Sequence, residues 1–135
     1  MMKLVSTVFI LAGINFISHF CGGKIITPPA GTSITLLPGS TVKILWRFNN
    51  PISTGLFRAW HFQPDGGASV ESLATLQNDG APKILNSSLR NIEVIKPATL
   101  VSKNIDLHYN GTYEFFLVAK GQIHRSKVAI LVAGK

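Results

Sequence analysis

Cysteine is nearly absent from this sequence of 135 residues, which contains only Cys21. A disulfide framework, on which many small extracellular domains depend, is therefore excluded. Charge is also scarce, since 14% of the residues are charged and only 6 are Asp or Glu, against 13 Lys or Arg. The hydrophobic fraction of 46% is nevertheless too high for a disordered chain. The length and composition predict one folded domain.

Catalytic and metal-binding motifs are missing as well. None of the histidines, at positions 19, 61, 108 and 124, has the spacing of a zinc site, and the few carboxylates are not paired for acid–base work. A Gly-x-Ser-x-Gly elbow and a phosphate-binding glycine loop do not occur. We therefore predict that the chain is not an enzyme and uses no metal or cofactor.

The one long apolar run lies at the N-terminus. A short positive segment ends at Lys3, residues 4–17 are mostly apolar, and small residues follow up to Gly23. This pattern predicts a secretory signal peptide over residues 1–23, cleaved near Gly23. The alternative is a retained membrane anchor, but two polar residues and a glycine interrupt the run, which falls short of the roughly 20 residues of a spanning helix. We expect a secreted product or the first domain of a longer surface protein.

Strand signals dominate residues 24–135, where no helical apolar period of useful length occurs. Alternating runs are separated by turn residues, and the clearest runs, 112–120 and 123–133, flank Lys120-Gly121 as the turn of a β-hairpin. The run 72–76 is weaker and is expected to be a short edge strand. Runs of this spacing predict an all-β sandwich of about eight or nine strands in one domain.

Residues 105–115 resemble the corner and strand F of an immunoglobulin domain, whose family pattern is Asp-x-Gly-x-Tyr-x-Cys. Gly111 and Tyr113 match that pattern, whereas Tyr109 stands in the place of the Asp and Phe115 in the place of the second Cys. The resemblance implies that the Tyr113 hydroxyl bonds back to the backbone just upstream.

Two earlier stretches are similar to strands C and B of variable-type immunoglobulin domains. Trp60, Gln63 and Pro64 match the strand C signature, and Trp46 takes the place of the first Cys at the end of strand B. The resemblance covers essentially all of residues 24–134 in the correct order. It implies an immunoglobulin-like, variable-type Greek-key sandwich of two sheets without the inter-sheet disulfide.

Aromatic residues stand where the disulfide is missing. If Trp46 and Phe115 face each other beside Trp60, with Tyr113 close by, their rings can fill the volume of the absent bond. Each aromatic pair adds about 0.5–1.5 kcal/mol beyond its area burial, against about 2–4 kcal/mol for a disulfide. We expect these four residues to form the core in place of the disulfide.

Strand alternation predicts a second set of residues. If Trp60, Phe115 and Val128 face inward, their neighbours along three strands face outward. Two phenylalanines among polar residues have the layout of an interaction surface. The predicted binding face comprises Phe57, His61, Gln63, Phe116, Val118 and Lys127. A register one residue off is the alternative, and it would make Phe116 and Val118 core.

The resemblance implies a protein partner, because variable-type domains commonly pair through this sheet. Cysteine-free domains of this type are similar to the ectodomains of invertebrate allorecognition receptors, such as those of colonial hydroids, which bind like alleles across cells. We expect an extracellular module for cell–cell recognition or adhesion, on the cell surface or secreted, that binds the same domain on another cell or chain. A soluble heterophilic immune-type binder is the first alternative.

The net charge of +7 leaves a second alternative, a secreted domain that binds a polyanion such as glycosaminoglycan. The basic residues are dispersed, which does not favour nucleic acid. Asn86-Ser87-Ser88 and Asn110-Gly111-Thr112 are sequons, so Asn86 and Asn110 are the predicted glycosylation sites of a glycoprotein.

Overall fold

A computed structural model gives the architecture, and it describes residues 7–10, 25–29, 31–50, 55–67 and 69–133. Strands account for most of these residues, and the only helical element among them is a single 3-10 turn, Leu107–Tyr109. The all-β class expected from the sequence is confirmed.

Twelve strands lie in the described part of the chain. In order they are β1 (Thr7–Ile10), β2 (Ile25–Thr27), β3 (Thr32–Leu36), β4 (Thr41–Leu45), β5 (Arg47–Phe48), β6 (Phe57–Pro64), β7 (Glu71–Gln77), β8 (Lys83–Ile84), β9 (Ile92–Ile95), β10 (Thr99–Ser102), β11 (Gly111–Ala119) and β12 (Gln122–Val132).

The strands form two main sheets. One has six strands in the order β3-β12-β11-β6-β7-β8, the other has four in the order β1-β4-β10-β9, and β2 pairs with β5 as a small extension. Only Trp46 separates β4 from β5. The pairings β3–β12 and β1–β4 are parallel, and the other described pairings are antiparallel.

The last hairpin forms where the sequence predicts it. Lys120 and Gly121 have φ values of 52° and 76°, and two successive positive values are typical of the two-residue turns that match strand twist. The expectation of an edge strand at residues 72–76 is wrong. The strand there, β7, lies between β6 and the two-residue strand β8, which forms the edge.

The strand β1 lies inside the predicted signal peptide. It runs parallel to β4, with Thr7 opposite Thr41 and Ile10 opposite Ile44. The remainder of residues 1–23 and the expected cleavage point near Gly23 lie outside the described residues. Cleavage therefore stays a prediction, and it would leave β4 as the edge of its sheet.

The core lies between the two sheets. Every second residue of β11, from Gly111 to Ala119, is buried, as expected for a strand with one face on a core. Val42 and Ile44 of β4 belong to the same buried cluster as Trp60 of β6. Phe116 and Val118 are half-buried and point the other way, so the alternative register is wrong.

Gly111 fixes how closely β11 approaches β6 at the corner. Its φ is 153°, and a Cβ at this position would collide with the Gln63 carbonyl oxygen and lie 2.8 Å from the Phe62 ring. A side chain here would push the two strands apart. The close approach of β11 to β6 at this corner therefore requires a glycine at position 111.

Candidate functional site

An aromatic cluster joins the two sheets at the centre of the molecule. The rings of Trp46 and Phe115 are stacked at 5.3 Å between centroids with an angle of 24°, and Trp60 lies 5.3 Å from Phe115 at 43°. Trp60 and Phe115 have no exposed surface, and Trp46 is 2% exposed. The structure thus brings together the three rings that the sequence placed around the missing disulfide.

Burial of this cluster also leaves two polar groups without hydrogen bonds, which opposes folding. The indole nitrogens Nε1 of Trp46 and Trp60 are buried and have no hydrogen-bond partner among the described residues. A buried donor without a partner costs about 1–3 kcal/mol. Stacking and apolar burial must therefore outweigh this penalty.

Tyr113 and Tyr109 close the corner before β11. The Tyr113 hydroxyl donates to the Tyr109 carbonyl oxygen at 2.7 Å, and the Tyr109 hydroxyl accepts from the backbone N–H of Asn91 at 3.3 Å. Burial, with a smaller contribution from Tyr109, raises the pKa of Tyr113 well above its ordinary value. Tyr109 thereby ties β11 to the segment that begins β9, a role that the sequence did not suggest.

Arg58 is a buried charge that the sequence analysis missed. It is 1% exposed and faces inward, and its guanidinium donates to the carbonyl oxygens of Pro97, at 2.8 Å, and Asn78. Burial lowers the pKa of Arg58, and the nearby Asp79 carboxylate acts in the opposite direction. Alternation along β6 predicts that Arg58 faces inward, because Trp60, two residues later, does so. Nothing else in the sequence indicates that this arginine is buried.

The opposite face of the same sheet carries the candidate interaction face. β11 lies between β6 and β12, and the paired residues of the three strands form rows across the sheet. From the hairpin turn downward, the outward rows are Phe57–Val118–Ile123, Ala59–Phe116–Arg125, His61–Glu114–Lys127 and Gln63–Thr112–Ala129. We call these four rows the outer face.

Polarity changes along the outer face. The row next to the hairpin turn is entirely apolar, and its Ile123 is 58% exposed. The third row holds His61, Glu114 and Lys127, so it is polar throughout. We call the two rows nearest the hairpin turn, which are apolar except for Arg125, the apolar half, and the two lower rows, which hold Glu114 and Lys127, the charged half.

Phe116 lies at the centre of the outer face between two polar side chains. Its ring centroid is 4.6 Å from that of His61, and the Arg125 guanidinium lies over the ring at 5.3 Å. An exposed cation–π contact of this kind is worth about 0.5–1 kcal/mol. These contacts hold the ring in a defined position while part of it stays accessible.

A shallow cavity of about 190 Å³ adjoins the charged half of the outer face. Its walls combine hydrogen-bond donors and acceptors. The lining residues are His61, Gln63, Val70, Thr112, Glu114 and Lys127.

All six residues of the predicted binding face lie on the outer face. The prediction omitted Ile123 and Arg125, although alternation along β12 gives both positions. The predicted sequons lie elsewhere. Asn86 is exposed between β8 and β9, and Asn110 is half-buried with its Oδ1 accepting the backbone N–H of Val132.

Within the described residues, no group of three or more His, Cys, Asp or Glu side chains is placed to hold a metal ion. The single helical turn in that part of the chain is too short to cross a membrane. No protein-family model matches this sequence, and no curated protein matches it either.

Proposed function

We propose that this chain is a variable-type immunoglobulin-like recognition module that binds a second copy of itself through the outer face. The strand order supports the fold assignment. A six-stranded sheet that pairs β3 in parallel with β12, opposite a sheet containing β4, β10 and β9, is the arrangement expected of such a Greek-key sandwich.

The observation that carries the proposal is the apolar half of the outer face. Phe57, Val118 and Ile123 form a continuous row, and Phe116 lies directly below it. Contiguous apolar surface rimmed by polar groups is typical of protein interaction sites. A self-complementary patch on each copy suits the two-fold symmetric pairing that most homo-oligomers use.

The proposed location is extracellular, as a secreted protein or on a cell surface, where the module would serve recognition or adhesion. The predicted signal peptide and the sequons at Asn86 and Asn110 support this location. The absence of cysteine outside that signal peptide is also compatible with an oxidising compartment, since no free thiol would be exposed there. The proposal includes no catalytic activity, no cofactor and no nucleic-acid partner.

Sedimentation of the purified chain over a concentration series tests the proposal. We expect concentration-dependent self-association that Phe116→Glu abolishes, because a charge would enter an apolar contact. The matched control is Ile95→Glu, which places the same charge on a residue that is 47% exposed on the other sheet. Self-association should survive in this control.

A chain that stays monomeric at every concentration contradicts the proposal, as does an unchanged association of the folded Phe116→Glu variant. Circular dichroism shows whether the variant has kept its fold.

A polyanion is the second candidate ligand, favoured by Arg125 and Lys127, which are both exposed on β12. Retention on heparin that is lost in moderate salt would support it. Arg125→Ser together with Lys127→Ser should then abolish retention, whereas Phe116→Ala should not.

A further inference from the structure

The two sequons lie in different surroundings, and the fold treats their amides differently. We infer that the folded, secreted molecule carries an N-linked glycan at Asn86 and none at Asn110. The inference rests on the proposed extracellular location and goes beyond the sequence motif, which marks both residues equally.

Asn86 lies on a segment whose residues alternate in exposure. Ile84, Asn86 and Ser88 are exposed, whereas Leu85 and Ser87 are half-buried. Within the described residues, the Asn86 side chain makes no hydrogen bond. A saccharide on its Nδ2 therefore displaces no contact of the fold.

Contacts on both sides of Asn86 hold this segment against β7. The backbone N–H of Leu85 donates to the Leu73 carbonyl oxygen at 2.9 Å. The Glu71 carboxylate accepts from the backbone N–H of Ser88 at 2.7 Å and from its hydroxyl at 2.8 Å. The outward position of Asn86 is therefore fixed from before and after it in the chain.

Asn110 is held by its backbone and by its side chain. Its N–H donates to the Leu107 carbonyl oxygen at 3.2 Å, and its carbonyl oxygen accepts from the Asp65 N–H at 3.1 Å. Its Oδ1 accepts from the backbone N–H of Val132, which fixes the amide at a half-buried position. The next residue, Gly111, approaches β6 too closely for a side chain to fit. A branched saccharide on the Asn110 amide would have to open this corner, so the native fold disfavours it.

The modification is a glycosyl transfer to an amide nitrogen. Nδ2 of Asn86 forms a bond to the anomeric carbon of an oligosaccharide carried on a lipid pyrophosphate. The anomeric C–O bond breaks, its electron pair leaves with the lipid pyrophosphate, and the amide loses one proton to the transferase. The Ser88 hydroxyl belongs to the acceptor motif, so transfer precedes its bond with Glu71.

The glycan at Asn86 lies away from the outer face. Ile84 is paired with Ala74, which is paired with Trp60 of the core, so these three residues face the same side of the sheet. Asn86 follows Ile84 in the alternation and shares that side. The glycan therefore covers the exposed Ile84 and the sheet edge at β8, and it leaves the outer face accessible.

Peptide mapping of the full chain, secreted from cultured eukaryotic cells, tests the inference. Trypsin cuts after Lys83 and Arg90 and after Lys103 and Lys120, so the two sequons fall in separate peptides, residues 84–90 and 104–120. An amidase that releases N-linked glycans converts each modified Asn into Asp. We expect conversion at position 86 and an unmodified Asn at position 110.

Two variants remove one sequon each. Asn86→Gln should lose the glycan and show no mass shift on amidase treatment. Thr112→Val removes the other sequon, keeps the bond from Val132 to Asn110, and should retain the full shift. Asn86→Gln should also self-associate like the glycosylated chain, within about twofold in dissociation constant, because the glycan lies away from the outer face.

A secreted, folded chain that is converted at position 110, or at neither position, would overturn the inference and leave the proposed self-association standing. Association that strengthens more than about tenfold in Asn86→Gln would overturn the placement of the glycan. Retention of the unmodified chain inside the cell would overturn both the inference and the proposed location. A monomeric chain glycosylated at Asn86 alone would support the inference and contradict the proposed self-association.

Discussion

Phe115 and Phe116 are neighbours in the sequence, yet they lie on opposite faces of β11. Phe115 is completely buried between Trp46 and Trp60, whereas Phe116 is half-buried against His61 and below Arg125. Residue type is the same at both positions, so alternation alone decides the role. The inner ring stabilises the sandwich, and the outer ring is available to a partner.

The sharpest difference between the two faces should come from the aromatic cluster. Trp46→Ala is expected to lower the free energy of unfolding by about 3–5 kcal/mol, the usual cost of truncating a large buried aromatic. Phe116→Ala should cost less than about 1 kcal/mol, because little of the fold depends on it. Urea denaturation followed by circular dichroism measures both values.

Trp46→Phe is the control for the same site. It keeps an aromatic ring against Phe115 and removes the indole N–H that lacks a partner, so it should cost clearly less than the alanine variant. Equal losses of unfolding free energy for Trp46→Ala and Phe116→Ala would show that the inner face does not stabilise the fold more than the outer face.

Gly111→Ala tests how closely the inner strands approach each other. We expect a loss of about 1–3 kcal/mol from overpacking, in addition to the strain of a positive φ. Gly121→Ala is the control, since its φ is 76° but a Cβ there would meet nothing within 4 Å. If thermal or urea unfolding gives the same loss for both, backbone strain alone explains the glycine at position 111.

Arg58 and Arg125 allow the inner and outer faces to be compared for a charged residue. Arg58→Met should cost about 2 kcal/mol, because it leaves the Pro97 and Asn78 carbonyl oxygens buried without their donor. Arg125→Met on the outer face should change stability by less than about 0.5 kcal/mol. If urea denaturation gives the same free energy of unfolding for Arg58→Met as for the unmodified protein, apolar packing of the methionine replaces the guanidinium fully.

A pH-dependent effect should appear in alkaline solution. Because the folded pKa of Tyr113 is raised, the folded state keeps a proton that the unfolded chain loses above about pH 10. The contribution is fully present below that pH and declines above it, by up to about 1.4 kcal/mol per pH unit. Tyr113→Phe should lessen the decline between pH 10 and pH 11.5, as measured by urea denaturation at each pH. Identical slopes for the two proteins would contradict this assignment.

The sequence was most informative where long strands alternate. Alternation along β11 and β12 predicts both faces of the sheet correctly, and Trp46 and Phe115 meet as expected. It was least informative for β8, since a strand of two residues has no alternation to detect. Its presence was missed, and β7 was therefore wrongly predicted as an edge.

Two hydrogen bonds between distant parts of the chain were not predicted from the sequence. The bond between Tyr109 and Asn91 joins residues 18 positions apart, and Arg58 reaches Pro97 across 39 positions. No local pattern encodes such pairs, because they depend on which strands become neighbours. Ile123 and Arg125 were missed for a simpler reason, since the predicted face took only Lys127 from β12 although it included Phe57 and Val118 next to the hairpin turn.

The stack of Trp46 on Phe115 also separates folding of this domain from the redox state of its surroundings. Sandwiches closed by a covalent bond must wait for an oxidant before they reach full stability, and reductants weaken them. Here the rings of Trp46, Trp60 and Phe115 meet between the two sheets within an apolar core, and no covalent bond takes part in these contacts. The domain should therefore mature at the same rate with or without a thiol reductant, and a bacterial cytoplasm should produce it in the folded state.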